Sequence, residues 1–374
     1  MKKQSIAIAV AGALALPALA LAQTASVQIY GFVNAEYGFA SQVDANATTS
    51  RHRVDSLGSG PSYFGFKGQE SLGGGSTAWF QCESDLQFLG GTPRTSGSIC
   101  DRNSAIGLKS GFGNFFVGTW DTPIKQAVAK TRMLNELGWL GVQNMLLGSP
   151  TNNFNFSNRN SDSINYTSPT FSGFTINAQT TSTKAAMNAA STVANVKGRD
   201  TGISADYVNG PLVVALAYMK RNQNRATFGL ASAKDWAWSL GATYTYGPLK
   251  GGLTYIDKKF DDNVGGYKNK AWNLALQYQL SGPGSVLAGY THVSKYVGDG
   301  GIDFVGSPDN GAKQWQIGYN HALSKRTNVG ASYVRLDNNG NAVSSQFSLV
   351  PLTQVGGRAG DNASAFVLHM NHAF

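Results

Sequence analysis

The feature that most constrains the fold is a two-residue alternation of side chains that lasts longer than an ordinary strand. In SVQIYGFVNAEYGFA, Val27, Ile29 and Val33 place apolar side chains on odd positions. Gln28 and Asn34 place polar side chains on even positions. Strands of soluble proteins usually have about 5–6 residues, whereas a strand that crosses a bilayer at a tilt needs about 9–11. The length of the alternation therefore indicates membrane-crossing strands.

The alternation recurs along the chain, and two kinds of connection separate the alternating segments. Short connections, mostly rich in Gly, Pro, Asn and Ser, are predicted at 71–75, 110–114, 169–173, 209–211, 247–248, 281–284 and 324–326. Long polar connections are predicted at 41–60, 86–99, 121–160, 185–199, 222–233, 260–269, 298–312 and 340–360. Seven short and eight long connections predict sixteen strands.

The strand number and the two kinds of connection together indicate a class of fold. An even number of strands, with short turns at one end and long loops at the other, is typical of bacterial outer-membrane barrels. Charged residues make up only 14% of the chain, against about 25% in soluble domains. A soluble β-sandwich would explain the alternation but neither the strand length nor the loop asymmetry. We predict an all-β fold, a 16-stranded antiparallel transmembrane β-barrel in a Gram-negative outer membrane.

The first 22 residues have the pattern of a secretory signal peptide. Lys2 and Lys3 precede an apolar run that closes on the small-x-small sequence Ala20-Leu21-Ala22. We expect cleavage after Ala22, which leaves residues 23–374 as the barrel domain. The formal net charge of the whole chain is +9, and loss of the two lysines reduces it to +7.

The last ten residues, AFVLHMNHAF, alternate like the first strand and end on Phe374. A barrel in lipid has no unpaired edge, because its backbone groups find no water to bind. The final strand must therefore pair with the first. A terminal Phe preceded by alternating apolar residues also resembles the signal by which barrel-assembly machinery recognises outer-membrane proteins.

The chain contains two cysteines, Cys82 and Cys100. A pair of cysteines in an exported protein predicts a disulfide, which would stabilise the fold by roughly 3 kcal/mol. Two buried free thiols are the alternative. A metal site lacks partners, because no histidine lies near either cysteine in the sequence.

A sixteen-stranded barrel is too wide for side chains to fill, so it leaves an aqueous channel. The longest loop, 121–160, is the candidate for narrowing that channel. Its KQAVAKTRMLNEL portion has helical spacing and could place its apolar face on the inner wall. The alternative is that the loop forms an external cap.

Several motifs resemble those of a known family. YFGFKGQESLGGG, DRNSAIGLKSGFGNFFVGTWDTP, SPTFSGF and the C-terminal strand are similar to the general porins of beta-proteobacteria. The resemblance runs the length of the mature chain. It implies a homotrimer of sixteen-stranded barrels and a third extracellular loop that folds inward to form a constriction. It also implies passive diffusion of small hydrophilic solutes and ions.

The resemblance assigns residues to the constriction. The family often has a basic cluster on the wall opposite the inward loop, and Arg102 and Arg159 occupy basic positions of that cluster. Tyr63 stands where the family usually has Arg, so the cluster is thinner here. The residues predicted at the pore constriction are Arg102, Arg159, Tyr63, Glu83, Asp121, Lys125, Arg132 and Glu136.

The charges in this set oppose one another, because the carboxylates offset the basic residues. The surplus of positive charge over the chain tilts the prediction toward a weak preference for anions. The alternative is a substrate-selective channel with a saturable site for sugars or small anions. Trp120, Trp139 and Tyr63 near the constriction support that alternative, because a sugar channel needs aromatic side chains along its lumen.

No catalytic arrangement is predicted. The five histidines suggest no pairing with a nucleophile, so we do not expect an enzyme. We also expect no cofactor, no metal and no nucleic-acid partner. The expected partners are further copies of the chain, outer-membrane lipid, lipopolysaccharide and the barrel-assembly machinery.

Overall fold

A computed structural model of the chain describes the strands and part of their connections. The described residues are 26–43, 51–86, 88–89, 99–133, 141–148, 155–182, 198–225, 230–261, 266–298, 311–338 and 362–374. The predicted signal peptide, residues 1–22, lies outside these ranges. So do Glu136 and Trp139, which the sequence places near the constriction.

The described strands form one antiparallel sheet of eighteen segments that closes on itself. Two strands are each interrupted once. The first strand pairs with both Arg51–Gly58 and Tyr63–Gly73, which are two segments of one strand. Likewise, Tyr267–Gln279 pairs with both Gly284–Val293 and Val297–Gly298. Counting each interrupted strand once reduces eighteen segments to sixteen strands. The predicted sixteen-stranded barrel is confirmed.

We number the strands in chain order. They are β1 (Ser26–Val43), β2 (Arg51–Gly58 and Tyr63–Gly73), β3 (Ser76–Asp85), β4 (Ser104–Ser110), β5 (Gly113–Asp121), β6 (Arg159–Thr167), β7 (Phe174–Thr181), β8 (Arg199–Asn209), β9 (Leu212–Arg225), β10 (Leu230–Tyr246), β11 (Leu249–Phe260), β12 (Tyr267–Gln279), β13 (Gly284–Val293 and Val297–Gly298), β14 (Ala312–Ala322), β15 (Thr327–Asn338) and β16 (Asn362–Ala373).

The barrel closes where β16 pairs with β1, as the sequence predicts. The register runs from Phe32 opposite Ala373 to Val43 opposite Asn362. The backbone groups of Gly31 and Phe374 add two hydrogen bonds of 3.2 and 3.1 Å at the end of the seam. A side chain at Gly31 would collide with the Phe374 ring, so glycine is required there for the terminal ring to lie against β1.

The connections follow the predicted pattern at one end of the barrel and depart from it at the other. All seven short connections lie where the sequence places them. Three long ones are shorter than predicted, because β1 and β2 extend into 41–60, β9 and β10 extend into 222–233, and β12 begins within 260–269. Polar side chains mark these segments as loops in the sequence, but they do not end a strand whose backbone still pairs with a neighbour.

The two faces of the sheet differ in polarity. Large apolar side chains such as Leu253 and Phe115 are about half exposed on the outward face. Asn34, Gln179 and Asn273 are buried on the inward face. This reverses the polarity of a soluble protein and is the pattern of a barrel with lipid outside and polar groups inside. Among the described residues, no helix is long and apolar enough to cross a membrane.

Two short helices follow β5. Helix α1 (Pro123–Thr131) begins with the Thr122 hydroxyl accepting a hydrogen bond from the backbone N–H of Lys125, and with proline at its first position. It ends earlier than the helical spacing of the sequence suggests, because Arg132 is extended. Helix α2 covers Gln143–Leu147.

Both helices pack against the inward face of the sheet, in an apolar cluster with inward side chains such as Met219 and Ile256. Helix α1 packs mainly on β8, β9 and β10, and α2 packs on β11, β12 and β13. The hydroxyl groups of Thr131 and Thr254 lie 2.8 Å apart at this contact, and Thr254 is fully buried. The described part of the 121–160 loop therefore occupies space on the inner side of the barrel wall.

Candidate functional site

The structure brings most of the predicted constriction residues together on neighbouring strands. Tyr63 lies on β2 and Glu83 on β3, while Arg102 immediately precedes β4. Asp121 ends β5 and Arg159 begins β6. On each strand, the alternate positions that carry polar side chains face inward. These side chains therefore meet on one inner wall, where the 121–160 loop joins the barrel.

The first group of charges is centred on Arg102 and contains Glu83 and Asp85. Nε of Arg102 donates to Glu83 Oε1 at 2.6 Å, and Nη1 donates to Asp85 Oδ1 at 2.7 Å. The guanidinium lies over the Tyr63 ring, 4.7 Å from its centroid. We call Arg102, Glu83 and Asp85 the Arg102 cluster; it holds two carboxylates and one cation.

The disulfide fixes the backbone that carries Arg102. Cys82 and Cys100 are bonded, with their Cα atoms 4.8 Å apart, so the predicted bridge is confirmed. The N–H of Cys100 donates to the Ser84 hydroxyl at 2.8 Å, and the N–H of Arg102 donates to the Glu83 carbonyl at 2.9 Å. The bridge and these bonds hold the segment before β4 against β3.

The second group is centred on Asp121. Its Oδ1 lies 2.7 Å from Lys125 Nζ and 3.1 Å from Arg159 Nε. We call Asp121, Lys125 and Arg159 the Asp121 cluster; it holds two cations and one carboxylate. Asn103, the residue after Arg102, binds this cluster, because its Nδ2 donates to Asp121 Oδ2 and its Oδ1 accepts from Arg159 Nε, both at 3.0 Å.

Burial and charge act in opposite directions on the basic groups. Burial tends to lower the pKa of Arg102, but hydrogen bonds and charges from Glu83 and Asp85 outweigh it, and its pKa lies above the ordinary value. Burial lowers the pKa of Lys125, and Asp121 offsets this only in part. Burial also lowers the pKa of Arg132, to about 10. Both arginines are therefore charged at neutral pH.

Not every predicted residue joins the clusters. Arg132 follows α1, and Asp121 is the charge that acts on it most. Glu136 lies outside the described residues. Sequence reasoning missed Asn103, the residue that binds both Asp121 and Arg159, because a neutral side chain next to Arg102 gives no charge signal. It also left Asp85 out of the set of constriction residues, although Asp85 follows Glu83 by two positions and so faces the same side of the strand.

Basic residues on the opposite wall hold the loop. Lys258 Nζ, fully buried, donates to the Leu146 carbonyl at 2.7 Å and to the Met145 carbonyl at 3.4 Å. Arg221 donates to the Asn155 carbonyl at 2.5 Å and pairs with Asp200 at 3.2 Å. The hydrogen bonds of these two basic side chains hold the loop against the wall.

Comparisons with known proteins agree with this architecture. The family model "Gram-negative porin" matches residues 7–341. Outer membrane porin protein 32 of Delftia acidovorans is 29% identical over 379 residues, which cover 100% of both chains.

Two solved structures have a similar fold. The anion-selective porin from Comamonas acidovorans has a TM-score of 0.73 at 24% identity, covering 94% of this chain and 100% of that one. The trimer form of in-vitro folded OmpT from Vibrio cholerae has a TM-score of 0.65 at 16% identity, covering 94% and 99%.

Proposed function

Because the chain belongs to the Gram-negative porin family, whose model matches residues 7–341, we propose that its barrel passes ions and small hydrophilic solutes passively and prefers anions weakly. The protein is an outer-membrane porin of a Gram-negative bacterium. Porins are channels, and we propose no catalytic role. The proposal concerns what the channel admits and which residues decide it.

The observation that carries the proposed weak selectivity is the pairing of charges on the inner wall. The Arg102 cluster has one cation and two carboxylates, and the Asp121 cluster has two cations and one carboxylate. Their formal charges cancel, so neither sign dominates at the predicted constriction. Fixed charges act on passing ions over about 8–10 Å at physiological salt, which is far enough for both clusters to act together.

The charges outside the two clusters favour anions. Lys67 lies on the same inner wall over the Tyr30 ring, 4.8 Å from its centroid, and adds a cation. The formal charge of the whole chain is +9. The similar Comamonas acidovorans protein carries the description anion-selective. These observations support a weak preference for anions in this chain.

The 121–160 loop is proposed to form the constriction. Its two described helices lie on the inward face of β8–β13, and its first residue, Asp121, belongs to the charged wall. We propose that the helices of the loop form one side of the constriction and the Arg102 cluster the other. Solutes would then pass between them.

The test is the reversal potential of single channels in a planar bilayer with a salt gradient. Arg102→Ala removes the cation that two carboxylates share, so we expect a clear shift toward cations. Arg159→Ala leaves Asp121 paired with Lys125, so we expect a smaller shift in the same direction. Arg335→Ala is the matched control, because Arg335 is 57% exposed on the outward face and loses the same charge.

Unchanged reversal potentials in both inner-wall variants would remove Arg102 and Arg159 from the selectivity filter. An equal shift in the Arg335→Ala control would show that charge anywhere on the barrel acts alike. A conductance that saturates with salt at low concentration would favour a channel with a specific ion site over a general pore.

We also propose the assembly that the family resemblance implies. Residues 1–22 would be removed as a signal peptide, Phe374 would be read by the barrel-assembly machinery, and three copies would associate in the membrane. The trimer form of the similar OmpT supports the trimer, and the apolar outward face supports contact with lipid and lipopolysaccharide. Cross-linking in native membranes tests the trimer, and a Phe374→Ala variant tests the assembly signal.

A further inference from the structure

Six aromatic side chains lie on the inward face of β1–β5, in two groups of three. Tyr63 contacts both Tyr30 and Phe32, with ring centroids 6.3 and 6.1 Å apart. Trp79, Phe116 and Trp120 form a second group, with centroids between 4.9 and 6.0 Å apart. We call these six residues the aromatic patch: Tyr30, Phe32, Tyr63, Trp79, Phe116 and Trp120.

The backbone makes room for the second group. Gly107 on β4 lies between Trp79 on β3 and Phe116 on β5. A Cβ at this position would lie 2.6 Å from Phe116 Cβ and 2.7 Å from Trp79 Cε2. Only a residue without a side chain allows the two rings to meet across the intervening strand. Trp79 Nε1 is satisfied by Asn114 Oδ1 at 2.7 Å, so its polar atom is paired within the wall.

A separate group of aromatic side chains inside the barrel shows how buried the rings are when they only pack against the loop. Phe156, Phe260, Tyr267 and Tyr296 lie near α2 and are each 0–1% exposed. In the aromatic patch only Phe116 is buried, and the other five are partly exposed. In the part of the chain that the structure describes, α1 and α2 make their main contacts with β7–β13. The described helices thus leave the aromatic patch facing the lumen.

The polar groups next to the aromatic patch offer both donors and acceptors. Arg102 lies over the Tyr63 ring, and the Tyr30 hydroxyl donates to Glu83 Oε2 at 3.3 Å. Trp120 directly precedes Asp121, the centre of the Asp121 cluster. Each guanidinium here already binds a carboxylate, so a free anion gains little from it. A neutral solute with many hydroxyl groups can both donate to the carboxylates and accept from the guanidinium groups.

We propose that the aromatic patch and the two charge clusters form a low-affinity binding site for carbohydrate, namely for pyranose rings of short neutral oligosaccharides. The apolar C–H face of a pyranose packs on aromatic rings, while its hydroxyl groups bind planar polar side chains at the rim. Two groups of three rings give more than one surface on which a sugar unit could stack. The inference rests on the proposed open pore and adds a solute class to it.

The experiment is saturable block of single-channel ion current by added sugar. The probes are glucose, cellobiose and cellotriose, with mannitol as an open-chain polyol and benzoate as an aromatic anion. We expect cellotriose to block with saturation, cellobiose more weakly, and mannitol not at all. Saturable block by benzoate without block by the sugars would overturn the proposal, as would equal effects of mannitol and cellotriose.

Variants connect the block to the patch. Trp79→Ala and Trp120→Ala each remove one stacking surface, and we expect the half-blocking concentration of cellotriose to rise about five- to tenfold. Trp120→Phe keeps a ring and should restore most of the block. Phe115→Ala is the matched control, because Phe115 lies on β5 but faces outward with 56% exposure.

The readouts separate this inference from the proposed function. Unblocked conductance and reversal potential show whether each variant forms a normal pore, independently of sugar. If Arg102→Ala shifts the reversal potential but cellotriose never saturates, the carbohydrate site is wrong and the general pore stands. If the protein forms no ion-conducting pore, the proposed function itself fails.

Discussion

The lumen has two walls that are built from the same residue types but differ in what covers them. The covered wall, β7–β13, lies under α1 and α2, and its aromatic side chains are almost fully buried. The open wall, β1–β6, lies outside the main contacts of the two described helices and holds the Arg102 cluster, the aromatic patch, and Asp121 and Arg159 of the Asp121 cluster. Arginine and aromatic rings occur on both walls. In the described part of the chain, contact with the loop helices, and not residue type, separates the fully buried aromatic rings from those that are mostly partly exposed.

The difference also appears in how cations are partnered. On the covered wall, Lys258 and Arg221 donate to backbone carbonyls of the loop, although Arg221 also pairs with Asp200. On the open wall, Arg102 binds two carboxylate side chains and no loop carbonyl is needed to hold it. A cation that binds a loop carbonyl holds the loop and keeps its net charge, while a cation in a side-chain cluster is offset by its carboxylates. The predictions below test this separation, in order of decreasing effect.

The largest effect is expected from a cavity in the covered wall. Phe260→Ala empties space beside Phe156 and Tyr267, and we expect a loss of about 3–5 kcal/mol of unfolding free energy. Guanidinium unfolding in detergent micelles, followed by tryptophan fluorescence, measures it. Phe32→Ala on the open wall is the comparison and should cost clearly less, because Phe32 is partly exposed. Equal losses would show that the two walls are packed alike.

Removal of the disulfide should have the next largest effect. Replacing both Cys82 and Cys100 by Ser opens a bridge between residues 18 positions apart, and we expect a loss of roughly 3 kcal/mol. The unfolding midpoint with and without reductant measures it. The double-serine variant should not respond to reductant, whereas the parent protein should fall to its level. A parent midpoint that reductant leaves unchanged would contradict the expectation.

A smaller effect is expected where a cation fastens the loop. Lys258→Met keeps the length of the side chain but removes the donor to Met145 and Leu146, and we expect destabilisation of about 1–2 kcal/mol. The loop should also move more, which open-channel current noise records. Lys259→Met, next in sequence and on the opposite face, is the control. Noise as low in Lys258→Met as in the control would mean that this contact does not hold the loop.

The smallest effect is expected on ion preference. Asp121→Asn leaves Lys125 and Arg159 without their shared carboxylate, so anions should be favoured further. One added unit of charge acting through water over about 8 Å is worth about 0.5 kcal/mol, or about a twofold change in the permeability ratio. Reversal potentials measure it, and Asp337→Asn on the outward face is the control. A shift toward cations would contradict the assignment of Asp121 to the lumen wall.

The sequence predicts those parts of the fold that depend on local pattern. Two-residue alternation and turn composition are properties of short segments, so they located the seven short connections and the pairing of β16 with β1. The disulfide was predictable because only one pairing of Cys82 and Cys100 exists. These features need no knowledge of how distant strands are aligned.

The remaining features depend on register between strands, which local pattern does not supply. Trp79 and Phe116 meet only because β3, β4 and β5 align with Gly107 between them. Asn103 binds Asp121 and Arg159, which lie 18 and 56 positions away in the chain. The loop contacts of Lys258 depend on a segment more than a hundred residues earlier in the chain. The roles of the constriction residues stay predictions until channel measurements test them.

The seam between β1 and β16 has a kinetic consequence. Asn34 and Asn371 are hydrogen-bonded across it although 337 positions separate them in the chain. Contacts between such distant residues form slowly, because a long loop must close before they contribute any stability. Until the seam forms, two strand edges stay unpaired and ready to join other chains. Aggregation of the unsealed intermediate is therefore the main hazard in producing this barrel, and it should worsen with protein concentration.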